Sequence, residues 1–270
     1  FAKIHFLKDL LLITPPFTQL NTPYPATAYL KGFLNTKNIS SYQIDLGIEV
    51  ILEIFSKKGV TQIFNVKPEN LSENAQRIFA LKEEYIKTID EVIAFLQNKK
   101  PTLARQICSM NFLPEASRFN QLDDMEYAFG NMGLQDKAKH LATLYLEDLS
   151  DYIVENIDEN FGFSRYAERL GRSANSFDEL YEKLQSDKTF VDNFTLEILD
   201  KKLLETQPKL VCFSVPFPGN LYSAFRCAQY IKNHYPNIKT AFGGGFANTE
   251  LRDLKDKRVF EFFDFITLDD

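Results

Sequence analysis

The chain has 270 residues, of which 44% are hydrophobic and 25% are charged, and its formal net charge is −6 at pH 7. This composition is that of a globular protein with a substantial core in one or two domains. The acidic balance argues against a broad surface for nucleic acid or anionic lipid, and no apolar run reaches the about 18 residues of a membrane-spanning helix. We therefore expect neither nucleic acid nor a membrane as a partner.

The cysteines and the chain ends indicate the compartment. Cys108, Cys212 and Cys227 form no CxxC or CxxxCxxC spacing, which predicts buried free thiols rather than a disulfide framework. Residues 1–14 are apolar but interrupted by charges, and they lack a small-residue cleavage site, so we predict no signal peptide and a cytoplasmic location. Because the chain starts without Met and stops in mid-pattern, we expect it to be part of a longer protein.

The first quarter of the chain alternates strands and helices. Apolar runs predict strands at Asp9–Thr14 and Ser41–Leu46, and helical spacing predicts helices at Ala26–Thr36 and Ile48–Ser56. A long proline-rich loop separates the first strand from the first helix. This order favours a parallel sheet with helical crossovers.

The middle of the chain, from Glu69 to Glu205, carries almost no strand signal. We predict an all-helical insertion at 69–205, because this block is too long for one crossover helix. The α/β domain then comprises residues 1–68 and 206–270. The helices predicted within the insertion are Leu71–Gln97, Pro101–Arg118, Ala138–Glu155, Phe177–Gln185 and Phe190–Thr206.

The α/β pattern resumes after Pro208. Lys209–Ser214 is a predicted strand, Asn220 can cap the helix that follows, and Ile238–Phe242 is a fourth strand. Phe263–Leu268 predicts the fifth. The simplest assembly is a Rossmann-like, five-stranded parallel sheet in the flavodoxin-type order 2-1-3-4-5, whose ligands lie at the carboxyl ends of the strands.

Three loops leave that edge with distinctive residues. Pro15-Pro16 stiffens the first loop, and Ser214 is followed by the apolar stretch Val215-Pro216-Phe217 in the second. Gly243-Gly244-Gly245 in the third lets a flat group approach the backbone closely and can turn N–H groups toward an anion. A long cofactor tail between strands three and four would need this combination. Asp45, at the end of strand two, could bind a sugar hydroxyl.

Each feature also has an ordinary structural interpretation. A glycine triplet can be a tight turn, Ser214 a core hydroxyl and Asp45 a loop cap. The triplet is neither a GxGxxG fingerprint, since no helix starts cleanly on it, nor a Walker A loop, and no GxSxG elbow occurs. His5, His140 and His234 lack the spacing of a metal site.

Five segments together resemble the N-terminal B12-binding domain of cobalamin-dependent radical SAM proteins. The resemblance depends on their order and spacing, and it covers Leu10–Phe55 and Lys209–Asp270 but not the helical block. The segments are ITPPFTQLNTPYPATAYLKGFL, YQIDLGIEV, CFSVPFPGNLYSAFRCAQYIK, TAFGGGFANTELR and RVFEFFDFITLDD.

The resemblance implies that cobalamin is held at the carboxyl edge. It also implies a C-terminal radical SAM domain with a [4Fe–4S] cluster and S-adenosylmethionine, carrying out a methyl transfer or related radical reaction. Thr14, Pro15, Pro16 and Phe17 would lie beneath the corrin ring. The residues implied to line the tail slot are Ser214, Val215, Pro216, Phe217, Gly243, Gly244 and Gly245. Asn220, Phe246, Asp45 and Asp269, near the same edge, complete the candidate set.

Two departures from the family shape the prediction. The DxHxxG motif is absent, and no histidine lies in the loop after strand one, so we expect cobalamin base-off without a protein imidazole on cobalt. The chain also has no CxxxCxxC, so alone it should neither cleave S-adenosylmethionine nor transfer a methyl group.

Two other hypotheses stay open. One is a non-catalytic α/β scaffold whose helical insertion binds a protein or peptide partner. The other is a flavin- or sugar-nucleotide-binding domain that uses Asp45.

Overall fold

The computed structural model describes residues 8–20, 24–66, 70–109, 111–124, 133–172, 176–253 and 255–268. Its sheet has five parallel strands in the order β2-β1-β3-β4-β5, which confirms the predicted Rossmann-like α/β fold. The strands are β1 (Leu10–Thr14), β2 (Ser41–Asp45), β3 (Leu210–Ser214), β4 (Lys239–Gly243) and β5 (Phe265–Ile266).

Helices surround the sheet and fill the middle of the chain. Those before residue 160 are α1 (Ala26–Thr36), α2 (Leu46–Ile54), α3 (Lys57–Asn65), α4 (Glu73–Ala80), α5 (Lys82–Leu96), α6 (Ala104–Ile107) and α7 (Leu134–Asn156). Those after it are α8 (Glu168–Arg172), α9 (Asp178–Gln185), α10 (Phe190–Thr206), α11 (Leu221–His234) and α12 (Gly245–Thr249). None of the helices in the described ranges combines the length and apolar character that crossing a membrane requires.

The register of the sheet aligns the carboxyl ends of its strands. Thr14 lies opposite Asp45, and Ser214 lies opposite Gly243. Most apolar residues of β1 and β3 are buried because helices cover both faces of a parallel sheet. The loops that follow β1, β2, β3 and β4 therefore leave from one edge.

The chain divides into two compact units. One comprises Phe1–Ile51 with Asn160–Asp270, and the other comprises Leu52–Glu159. This division places α8, α9 and α10 with the sheet, although the sequence pattern assigns them to the helical insertion.

A buried ionic network holds α10 against α11. Arg226 Nε lies 3.1 Å from Asp192 Oδ2, and the Tyr222 hydroxyl donates to the same oxygen at 2.7 Å. Arg226 also donates to the backbone oxygen of Leu184, in the last turn of α9, at 2.8 Å. Asp192 and Arg226 are only 1% and 3% exposed, and a buried charge requires such partners. The network explains why this helical segment belongs to the sheet unit.

The helical unit contains a buried carboxylate of its own. Asp148 accepts hydrogen bonds from the backbone N–H groups of Ala116 and Arg118 at 3.0 and 3.1 Å, and from the Tyr85 hydroxyl at 3.4 Å. Burial raises the pKa of Asp148 although these donors oppose the shift. These hydrogen bonds tie Ala116 and Arg118, which lie between α6 and α7, to Asp148 of α7, and they tie Tyr85 of α5 to the same carboxylate.

Three sequence predictions differ from the structure. The single helix predicted at Leu71–Gln97 is two helices, because the chain turns at Leu81. The helix predicted at Pro101–Arg118 is reduced to short turns and α6. A short helix, α12, does start on the glycine triplet, and Gly244 precedes its first residue with φ 106° and ψ 177°.

The three cysteines are free thiols, as predicted. Only Cys227 is fully buried, whereas Cys108 and Cys212 are partly exposed. Burial raises the pKa of Cys212 to about 11, so this thiol is protonated at neutral pH.

Candidate functional site

The loops after β1 and β3 are joined by direct hydrogen bonds. The side-chain amide of Asn220 donates to the backbone oxygen of Pro15 at 2.6 Å. The backbone N–H of Phe17 donates to the oxygen of Gly219 at 3.1 Å. The prediction that the Asn220 side chain caps α11 is wrong, because it forms no capping hydrogen bond and instead fixes the relative position of these two loops.

The loops after β3 and β4 are joined in the same way. The N–H of Val215 donates to Gly243 oxygen at 2.8 Å, and the N–H of Phe246 donates to Val215 oxygen at 3.1 Å. All three predicted loops thus meet along one edge.

The glycine triplet has three different steric environments. A Cβ on Gly243 would collide with Thr267 Oγ1, and one on Gly244 would lie 2.7 Å from the backbone N and O of Val215. A Cβ on Gly245 would meet nothing closer than the Pro216 oxygen at 3.7 Å. The first two glycines are needed for close packing, whereas the third has ordinary van der Waals clearance and borders a cavity.

That space is a crevice between the loops after β3 and β4, with a volume of about 510 Å³. We call it the β3–β4 crevice. Its lining residues are Gly171, Pro216, Phe217, Pro218, Gly245, Phe246, Thr249 and Glu250. The volume is within the range of small-molecule sites, and four of the predicted site residues, Pro216, Phe217, Gly245 and Phe246, border it.

The turn after β1 is covered instead. Thr14, Pro15, Pro16 and Phe17 are buried, and Phe17 is only 1% exposed. Its ring makes edge contacts with Phe161 and Tyr166, with centroids 6.1 and 5.8 Å apart. The segment before α8 therefore lies over this turn, so the Phe17 ring is not presented to the crevice.

Two buried polar atoms in these loops lack partners. Within the described part of the chain, neither Thr14 Oγ1 nor Asn220 Oδ1 forms a hydrogen bond. Leaving a buried polar atom unpaired costs about 1–3 kcal/mol, and such atoms are common where a water or ligand completes the site. Both atoms lie at the junction of the first two loops, which the segment before α8 covers.

Ser214 and Asp45, two further residues predicted for the site, are not among the residues that line the crevice. Ser214 is buried at the end of β3. Asp45 accepts a hydrogen bond from the N–H of Ile48 at 3.1 Å, as a cap of α2, and burial raises its pKa. Asp269 lies outside the described residues.

Several crevice residues are not evident from the sequence. Gly171 reaches the edge from α8, whose sequence distance from the glycine triplet hides the contact. Tyr24, within the proline-rich loop, has its hydroxyl 3.9 Å from the position of a Gly245 Cβ. Thr249 is the last residue of α12, a helix that the sequence pattern does not predict, and Glu250 follows it.

The described residues at this edge form no cluster of metal ligands. Among the residues that the structure describes, no group of three or more His, Cys, Asp or Glu side chains could hold a metal ion. His140 lies on α7 and His234 ends α11, while His5 is outside the described ranges.

Family models, curated proteins and solved structures were each compared with the chain, and none matched it. Its function is therefore inferred from the carboxyl edge itself and from the motifs of the sequence.

Proposed function

We propose that the sheet unit binds cobalamin at the carboxyl edge, with the nucleotide tail of the cofactor in the β3–β4 crevice. The observation that supports this most strongly is the shape of the crevice. The apolar residues Pro216 and Phe217 line this crevice together with Gly245, which presents bare backbone. A flat group can enter such a slot because no side chain projects from the glycine.

The crevice lining also includes the polar residues Thr249 and Glu250. When bound, cobalamin would supply a cobalt centre that can carry a methyl group, and this chain would hold and orient it.

The position of the open space favours cobalamin over a flavin. In sheets of this order, flavin binds at the switch point between β1 and β3. Here that point is covered, because Arg165 and Tyr166 lie against Gly219, whose added Cβ would be 3.2 Å from Arg165 Cα. The crevice lies one strand further along the sheet.

The loop after β1 contains no histidine that could coordinate cobalt. This loop carries Pro15-Pro16-Phe17 in place of a histidine, so cobalamin is held base-off without a protein histidine ligand. The reaction belongs to a C-terminal radical SAM domain with its [4Fe–4S] cluster and S-adenosylmethionine. The helical unit is available for a protein or peptide partner.

The test is equilibrium dialysis of hydroxocobalamin against the chain and two variants. Gly245→Leu fills the crevice without backbone strain, since a Cβ there has at least 3.7 Å of clearance. We expect it to lower cobalamin affinity at least tenfold with an unchanged melting temperature. Gly32→Leu is the matched control, because nothing lies within 4 Å of that position on α1.

Failure of the unaltered chain to retain hydroxocobalamin would contradict the proposal. Equal affinity of the chain and Gly245→Leu would place the ligand outside the crevice.

A further inference from the structure

The helical unit contains another cavity, which lies between the corner of α4 and α5 and the segment 111–115. Its volume is about 510 Å³, a size within the range of ligand sites. We call it the α4–α5 groove. Every residue that borders it belongs to the helical unit, and none of them borders the β3–β4 crevice.

Hydrogen bonds hold the two sides of the groove together. The N–H of Ala116, directly after this segment, donates to Asp148 at 3.0 Å, and the Tyr85 hydroxyl of α5 donates to the same carboxylate at 3.4 Å. The N–H of Ser117 donates to Asn74 Oδ1 on α4 at 3.2 Å. The groove is therefore formed without a ligand, as binding sites for small groups usually are.

The lining combines an apolar interior with a charged periphery. Leu113 and Pro114 are buried, whereas Arg77, Glu84 and Glu115 are exposed. Among the residues that the structure describes, these three charged groups form no ion pair and no side-chain hydrogen bond. Because the lining contains two carboxylates and one guanidinium, it carries excess negative charge, which favours a cationic group in the groove.

A short peptide segment can satisfy both parts of this lining. An apolar side chain gains from contact with Leu113 and Pro114, since the burial of apolar surface stabilises a complex. An adjacent arginine or lysine can donate to Glu84 or Glu115, and Arg77 can donate to a backbone carbonyl of the peptide. Nucleic acid is disfavoured, because its phosphates would meet the excess negative charge.

We propose that the α4–α5 groove binds a peptide segment in which an apolar residue stands beside an arginine or lysine. The proposal rests on the part of the proposed function that gives the helical unit a peptide partner, and it names the site and the chemistry of that partner. It does not depend on cobalamin. Glu84 and Glu115 are then the residues that select a basic segment over an acidic one.

The test is fluorescence anisotropy with labelled hexapeptides that differ only at their two central residues. We expect a leucine–arginine peptide to bind about tenfold more tightly than a leucine–glutamate or a serine–arginine peptide. Glu84→Gln should weaken binding of the leucine–arginine peptide about fivefold. Glu83→Gln is the matched control, because Glu83 lies in the same first turn of α5 and is exposed but does not border the groove.

Three results would overturn the proposal. The unaltered chain might fail to bind the leucine–arginine peptide at about 1 mM, or it might bind the three peptides equally. No loss in Glu84→Gln, or an equal loss in Glu83→Gln, would show that the cation is not bound at the groove. Retention of hydroxocobalamin is measured separately, so the failure of either proposal leaves the other standing.

Discussion

At the scale of single residues, Gly244 decides the geometry of the crevice. Its φ of 106° and ψ of 177° lie in a region that is accessible almost only to glycine. Its position also brings the loops after β3 and β4 into backbone contact at Val215. The neighbouring Gly245 has ordinary clearance, which leaves the two glycines with separate roles.

We therefore expect Gly244→Ala to destabilise the protein by about 2–3 kcal/mol, from backbone strain and the clash with Val215. Gly245→Ala should cost less than about 1 kcal/mol. Urea denaturation of the two variants measures the difference. Similar stabilities would show that the strained conformation does not hold the loops together.

Asp264 makes the stability of the sheet unit depend on pH. Burial alone would raise its pKa, but hydrogen bonds from Lys232, the Thr240 N–H and Lys239 outweigh burial and hold the pKa well below its usual range. A lowered pKa in the folded state stabilises the protein above the unfolded pKa of about 3.9, and this stabilisation is lost as the pH falls.

Asp264→Asn should thus cost on the order of 2 kcal/mol at pH 6, and the cost should begin to fall below about pH 4 and continue to fall until the pH is below the lowered pKa of the folded state. Denaturation of both proteins across this range is the measurement. A difference that stays constant with pH would mean that the charge of Asp264 contributes nothing to stability.

At the scale of elements, the Asp192–Arg226 pair joins α10 to α11. Arg226→Met leaves a buried carboxylate without its cation, which typically costs about 3–5 kcal/mol. The exposed Lys58–Glu53 pair is the control, and Lys58→Met should cost less than about 1 kcal/mol. Urea denaturation compares them, and a small loss for Arg226→Met would contradict a structural role for the pair.

The sequence predicts the strands well, and the reason is physical. Buried parallel strands are continuous apolar runs, so β1 and β3 are recognisable without any tertiary information. The alignment of Ser214 with Gly243 then follows from the parallel topology. The meeting of the three loops was predictable for this reason.

Contacts between distant segments are not predictable in this way. Nothing near Phe17 in the chain indicates that Phe161 and Tyr166 cover it, and nothing near α10 indicates that Arg226 pairs with Asp192. Local pattern therefore places α10 in the insertion and leaves Phe17 available to a corrin ring.

At the scale of the whole molecule, the proposed function requires cobalamin without a histidine ligand. Cob(II)alamin added to the chain should give an electron paramagnetic resonance signal without nitrogen splitting from an axial base. The physical reason is that the loop after β1 carries Pro15-Pro16-Phe17 in place of a histidine. Nitrogen splitting in the bound state would contradict the base-off assignment.

The most direct measurement is the melting temperature of the chain with hydroxocobalamin, with flavin mononucleotide and with UDP-glucose. A ligand raises the melting temperature only when it prefers the folded state. We predict that hydroxocobalamin raises it in a concentration-dependent way and that the other two do not. A rise with flavin mononucleotide or UDP-glucose and none with hydroxocobalamin would contradict the account.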